Sequence, residues 1–336
     1  MFTTNDEKIN GFLFVIILPF LLYFMSYYGF ESSYTRLKIS ERPPEFLFRS
    51  VYAYRVIPNY ISVKMTDFME YFIVYKVHFL KDFLSKNGTP FYHGLFLVNS
   101  IFFILCSLIL NKLLKMYPSK MISENKVRRI IHLLSVFFIV ITQYAPTNCD
   151  TIALFCYLSG VYFTFKYHFT GKIKFYILLV VLIAVSTFVR ETACLNIAFF
   201  AVFFFNFDKL KQLQFRSVIP LLPLILVFII PYLGLRQMVV NEKTTFVEGL
   251  YIDRNFESPF NLAGLAFACI LMYFIYQLCV EGANKNFIKK YLFFSLPYLF
   301  MITLVGLFWE IRLFLPLFLT CLILALSQFD ILKSRS

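Results

Sequence analysis

Two short stretches set an arginine beside a glutamate where nearly everything around them is apolar. In TFVRETACLN (187–196), Arg190 and Glu191 are the only charged residues between Phe175 and Phe205. In LFWEIRLFLPLF (307–318), Glu310 and Arg312 stand between two further apolar segments. Ionisable groups in such surroundings are costly and are candidates for function by default. Guanidiniums suit bidentate recognition of phosphate, and carboxylates suit proton abstraction or the orientation of an arginine. A third candidate, Asp150 in QYAPTNCDTIALF (143–155), opens an apolar segment where the positive end of a helix favours a carboxylate. The fourth is ERPPEFLFRSVYAYRVIPNYI (41–61), which follows Glu31 and adds Glu41, Glu45, Arg49, Tyr54 and Arg55. Plainer readings exist for each. An Arg–Glu pair can neutralise itself and close a turn, Asp150 can simply cap its helix, and Glu41 and Arg42 can be ordinary loop charges.

Other chemistries lack their residues. His78, His93, His132 and His168 are scattered, with no pair of ligands at metal spacing, so no cofactor is expected and a divalent cation has no ligand cluster to hold it. There is no phosphate-binding glycine loop, dinucleotide fingerprint or nucleophile elbow. The seven cysteines show no CxxC spacing and read as small core residues. A net charge of +13 comes without a basic stripe on any soluble domain, so nucleic acid is not an expected partner.

The elements that must position these groups are membrane helices. The 336 residues are 60% hydrophobic and 15% charged, with a mean hydropathy of +0.72. A soluble domain is about half apolar and about a quarter charged. The chain reads as all-α, a single integral membrane domain over 1–336. About ten spans are expected, at 9–29, 94–111, 128–144, 151–166, 173–189, 192–207, 217–235, 261–280, 291–308 and 313–329. With both termini inside, every inner connection is basic, from Lys112–Arg129 through Lys172/Lys174, Lys209/Lys211 and Lys285–Lys290 to Lys333/Arg335. The tips carrying Arg190 and Arg312 then face outward.

Lys172 and Lys174 precede the Phe175–Phe205 run and Lys209 and Lys211 follow it, so both its ends belong on the inner side. A single helix of that length would be about 46 Å long and would carry one basic end across. Two short helices with Arg190-Glu191-Thr192 at the turn fit better, and their tip lies below the outer surface in a protein-lined recess. Residues 30–93 form a long outer segment. Within it Ile61, Met65, Phe68, Phe72, Tyr75, Phe79 and Phe83 recur at helical spacing, which predicts amphipathic surface helices at the membrane. Were 68–84 to cross instead, the N-terminus would lie outside.

This arrangement resembles the glycosyltransferase C superfamily, polytopic enzymes that use polyprenyl-phosphate-linked sugars. The local likenesses are Glu31 in GFESSY, placed as an acidic residue after the first span; YRVIPNY (54–60), similar to a Tyr-Arg-Val-Leu-x-Pro pattern; and VRETACL (189–195), similar to Arg-Pro-Glu or Lys-Glu-Thr turns. One departure is that the family often carries an acidic pair or an Asp where this chain has a single Glu. The resemblance implies sugar transfer from a polyprenyl-linked donor to a glycan or lipid acceptor at the outer face of a bacterial plasma membrane. Glu31 would be the base, with Glu45 in reserve. Arg49, Tyr54, Arg55, Arg190 and Arg312 would bind substrate, Glu191 and Glu310 would orient arginines, and Asp150 would take sugar hydroxyls. Two other readings use the same charges: a surface-polysaccharide polymerase of the O-antigen type, and a transporter or flippase for an anionic lipid or sugar. A transporter is expected to show an internal repeat, and none is visible.

Overall fold

The longest helix starts where Thr89 precedes Pro90. The Thr89 hydroxyl accepts from the Tyr92 N–H at 3.3 Å, and Pro90 occupies the first turn, where its missing N–H costs nothing. The computed structural model describes residues 4–29, 37–48, 50–143, 147–212, 214, 218–238, 250–279 and 281–329. Among them the chain is helical, without a strand. Helix α1 (Thr4–Phe12) passes through a π-turn into α2 (Leu18–Gly29). Helices α3 (Val56–Tyr71) and α4 (Lys81–Asn87) lie in the long first connection, and α5 (Pro90–Met116), α6 (Asn125–Thr142) and α7 (Asp150–Thr170) follow. Then come α8 (Ile173–Thr187), α9 (Cys194–Phe204), α10 (Leu221–Met238), α11 (Ile252–Glu257) and α12 (Pro259–Gln277). The last three are α13 (Gly282–Phe294), α14 (Leu296–Val305) and α15 (Leu315–Leu326).

Each expected apolar segment falls mainly on helix. Among the described residues four stretches, Lys8–Gly29, α5, α10 and α12, are long and apolar enough to cross a membrane, and the bent pair α13–α14 passes together. Helices α8, α9 and α15 are apolar but have only 15, 11 and 12 residues. Twelve residues span about 18 Å against a hydrocarbon core of about 30 Å. The expected span 291–308 is not one straight helix. It is broken at Ser295 with a 49° bend, because Pro297 opens the second helix and cannot continue the first.

The core is built from α5, α7, α9 and α15, where Phe103, Leu110, Leu158, Phe199 and Leu324 are fully buried. Some polar groups inside it are partnered, whereas Ser100, Thr164 and Asn196 have buried side-chain polar atoms with no hydrogen-bond partner among the described residues. Tyr157 bonds to the Tyr291 hydroxyl at 2.5 Å and to Thr320 at 2.6 Å, while Asn99 joins Tyr27 and Thr151 at 2.6 Å each. In contrast α10 and α12 present Leu226, Ile230, Phe260, Ile270 and Phe274 outward.

The bundle has two distinct ends. At one, the Gln328 N–H donates to the Tyr117 carbonyl at 2.9 Å, Ser119 N–H to Leu326 at 3.0 Å, and the Asn284 amide to Ser327 at 2.7 Å. That end gathers the basic connections. At the other, the Ile57 N–H donates to the Phe188 carbonyl at 3.3 Å and the Asn99 amide to Thr147 at 2.9 Å, which brings the first connection against the Arg190 tip.

The predicted stripe from Ile61 to Phe83 is not continuous. After α3 and a π-turn the helix breaks at Val77, and α4 begins at Lys81. Ile61 and Met65 pack on the bundle, yet most of the buried face is small or polar: Pro58, Asn59, Ser62 and Thr66. It lies close to α5, since a Cβ on Gly94 would stand 3.1 Å from the Met65 backbone. Phe68, Tyr75, Phe79 and Phe83 stay exposed.

Candidate functional site

Asp150 opens α7 at the second of these ends. Its N–H donates to the Thr147 hydroxyl at 3.2 Å, and its carboxylate sits in the first turn, at the positive pole of the helix. The side chain is 7% exposed, and both oxygens meet arginine. Oδ1 accepts from Arg190 Nη1, and Oδ2 lies 3.3 Å from Arg312 Nη1. The other arm of the Arg312 fork reaches Glu310 Oε1 at 3.2 Å. Tips distant in sequence therefore close on one carboxylate, and Arg190 and Arg312 are only 11% and 13% exposed.

Both tips are fixed by their own backbones. After α8 ends, the Val189 and Arg190 N–H groups both donate to the Ser186 carbonyl, at 3.0 and 2.9 Å, and Arg190 is extended. The second tip is clamped by two asparagines. Asn255 donates to the carbonyls of Thr303 (3.1 Å) and Gly306 (2.8 Å) and accepts from Phe308 N–H at 3.1 Å, while Asn261 accepts from Trp309 N–H at 3.3 Å. The Tyr298 hydroxyl holds the Leu313 carbonyl at 2.9 Å.

The first connection supplies the third arginine. Arg55 Nη1 donates to Cys149 Sγ at 3.2 Å, and its guanidinium lies 4.6 Å from the Tyr52 ring centroid. Asn59, one turn on, accepts from the Asn148 amide at 2.8 Å and donates to Tyr52 O at 3.0 Å, which pins this segment to the residues preceding α7. Burial pushes the Tyr52 phenol up from its ordinary range while Arg55 pulls it down, so it is a neutral hydroxyl at neutral pH.

Three guanidiniums, Arg55, Arg190 and Arg312, thus surround two carboxylates, Asp150 and Glu310. In a recess of low dielectric a guanidinium edge not taken by a carboxylate attracts an anion. Beside Asp150, Arg190 and Arg312 is a cavity of ≈ 20 Å³, lined also by Gln143, Thr192 and Pro316, with room for about one water. A cavity of that size has no room for a phosphate group beside the Asp150 carboxylate.

The structure brings Arg55, Asp150, Arg190, Glu310 and Arg312 together. Glu191, expected to orient an arginine, makes no ion pair among the described residues, and Arg190 pairs with Asp150. Asp150 is an ion-pair hub with both oxygens engaged. Tyr54 is buried beside Arg236. Glu45, itself exposed, begins a 3-10 turn whose Leu47 is buried. Glu31 and Arg49 lie outside the described residues. Sequence reasoning missed Cys149, Tyr52 and Arg236. Cys149 had only its adjacency to Asp150 to mark it, Tyr52 only its place three residues before Arg55, and Arg236 looks like any basic residue closing a helix. Among the described residues no group of three or more His, Cys, Asp and Glu is placed to hold a metal. The chain matches no family model, and no curated protein or solved structure is similar to it.

Proposed function

We propose that the protein is an integral membrane glycosyltransferase that moves a sugar from a polyprenyl-phosphate carrier to a glycan or lipid acceptor. The observation that carries this reading is the cluster of Arg55, Arg190 and Arg312 around Asp150 at the tips of short apolar helices. A lipid phosphate exchanges for Asp150 on Arg312, and the guanidiniums stabilise the charge that collects on the departing phosphate. A carboxylate takes the proton of the acceptor hydroxyl as its oxygen bonds to the sugar. Glu31 is assigned that role and Glu45 is its alternate. About ten spans, cytoplasmic termini and α3–α4 lying on the outer surface of a bacterial plasma membrane complete the proposal, in which the exposed aromatics of α3–α4 face lipid.

Trp309, the only tryptophan, adjoins Glu310 and reports binding by its fluorescence. In phosphatidylcholine nanodiscs, polyprenyl phosphate is expected to change that signal saturably, and the parent alcohol is not. Arg190→Ala or Arg312→Ala weakens binding by about tenfold or more, as loss of a charge-assisted partner implies. Glu31→Gln binds normally but stops transfer of labelled sugar from a polyprenyl-phosphate donor, because a base acts in the transition state alone. Normal transfer by both Glu31→Gln and Glu45→Gln removes the assigned bases. Equal binding of phosphate and alcohol removes the phosphate site.

A further inference from the structure

We infer a second anion site at the rim of the cluster, in which Arg236, held between Tyr54 and Tyr232, takes the phosphate ester of a lipid. Arg236 lies in the last turn of α10, the helix that turns Leu226, Ile229, Ile230 and Leu233 outward. Its guanidinium carbon is 4.7 Å from the Tyr232 ring centroid and 5.5 Å from that of Tyr54. The side chain is exposed, and among the described residues it makes no ion pair. Glu191 is close enough for its charge to act on Tyr232, as does that of Arg236, yet the two charges do not pair.

Position alone is explained cheaply. A cation suits a helix C-terminus, and a long basic side chain reaches from apolar surface toward water. Neither effect calls for two aromatic faces. The rings hold the planar guanidinium by cation–π attraction, which fixes its plane and leaves its N–H edges available for bidentate bonding. An anion with paired oxygens on an apolar stem, a phosphate ester of a lipid, is the partner that matches both the fork and the exposed apolar helix carrying it. The site is also joined to the arginine cluster. Tyr54 precedes Arg55, whose guanidinium reaches Cys149, the neighbour of Asp150. One ring that Arg236 stacks on thus belongs to the residue directly before the arginine that reaches Cys149.

This phosphate has two possible sources, the phosphodiester of bulk lipid and the phosphomonoester of a polyprenyl carrier. The full-length protein in phosphatidylcholine nanodiscs, doped with either polyprenyl phosphate or phosphatidylglycerol, tests both by native mass spectrometry of the retained lipid. Wild type is expected to retain a doped lipid over phosphatidylcholine. Arg236→Gln lowers that retention about tenfold, and Arg236→Lys, which keeps the charge but not the fork, falls between. Tyr232→Leu lowers it with Arg236 intact, a result that a simple point charge would not give. A loss confined to polyprenyl phosphate identifies the carrier as the source, and a loss confined to phosphatidylglycerol, or shared by both lipids, identifies bulk lipid. Unchanged retention in Arg236→Gln, with thermal unfolding like wild type, overturns the site, as does a wild type that retains neither lipid. The inference does not rest on sugar transfer: if Arg190→Ala loses the lipid and Arg236→Gln does not, the rim site fails and the buried cluster stands.

Discussion

With one oxygen on Arg190 and the other on Arg312, Asp150 separates two guanidiniums that would otherwise share a buried recess with only Glu310, on Arg312, to offset them. Breaking a buried pair from one side costs more than the pair contributes, because the remaining charge stays buried alone. Asp150→Asn is therefore expected to lose about 3–5 kcal/mol in thermal or denaturant unfolding. Glu191→Gln, which breaks no ion pair, should stay within about 0.5 kcal/mol of wild type. Equal losses in the two variants would mean that Arg190 relies on its sequence neighbour after all. The residue types at this site were legible, since Arg190, Arg312 and Asp150 stand out against apolar surroundings. Their pairing was not. Arg190 is extended, with φ −167° and ψ 154°, and Glu191 begins the following turn, so adjacency in sequence does not bring their side chains together. Cys149 was hidden among seven cysteines, because nothing in its spacing distinguishes a thiol beside a guanidinium from a core filler.

At the scale of elements, the Arg312 tip depends on how closely α12 approaches it. A Cβ on Gly264 would lie 2.5 Å from the Phe308 carbonyl oxygen and 2.6 Å from the Trp309 Cα. Both are backbone atoms, so the clash cannot be relieved by a rotamer change. Gly264→Ala is expected to push the tip away, lower stability by about 1–3 kcal/mol, and weaken phosphate binding as read by Trp309 fluorescence. Gly282→Ala, with nothing within 4 Å of its Cβ, is the control and should be neutral or slightly stabilising in the first turn of α13. Apolar periodicity located the helices well, because burial and lipid exposure select the same residues. It did not locate the break at Ser295, although Pro297 was visible, since a proline inside an apolar run reads equally as a kink or as a helix start. It also misjudged α3. Ser62 and Thr66 donate to the Pro58 and Ser62 carbonyls at 2.8 Å each, so these small side chains satisfy themselves within the helix and can face α5 without needing a partner there.

For the whole molecule, the separation of the two ends gives the orientation a direct test. The acidic and basic tips meet at one end, while the basic connections around Tyr117, Asn284 and Ser327 meet at the other. If the positively charged connections are retained in the cytoplasm, as proposed, the arginine cluster is expected on the outer side. The charge rule is strongest for short loops, and Lys120 lies in the short link between α5 and α6. Ser85 lies in α4, within the long segment for which that rule is weak. The two positions therefore probe independent parts of the assignment. In a background lacking the seven native cysteines, a cysteine at Ser85 should react with a membrane-impermeant maleimide in intact cells. One at Lys120 should react only after permeabilisation. Reaction at Lys120 from outside, with Ser85 protected, inverts the bundle and places the arginine cluster in the cytoplasm, where a donor facing the cell exterior cannot reach it. Reaction at both positions without permeabilisation would mean that α5 does not cross, and the two-ended bundle would then have to lie differently in the membrane.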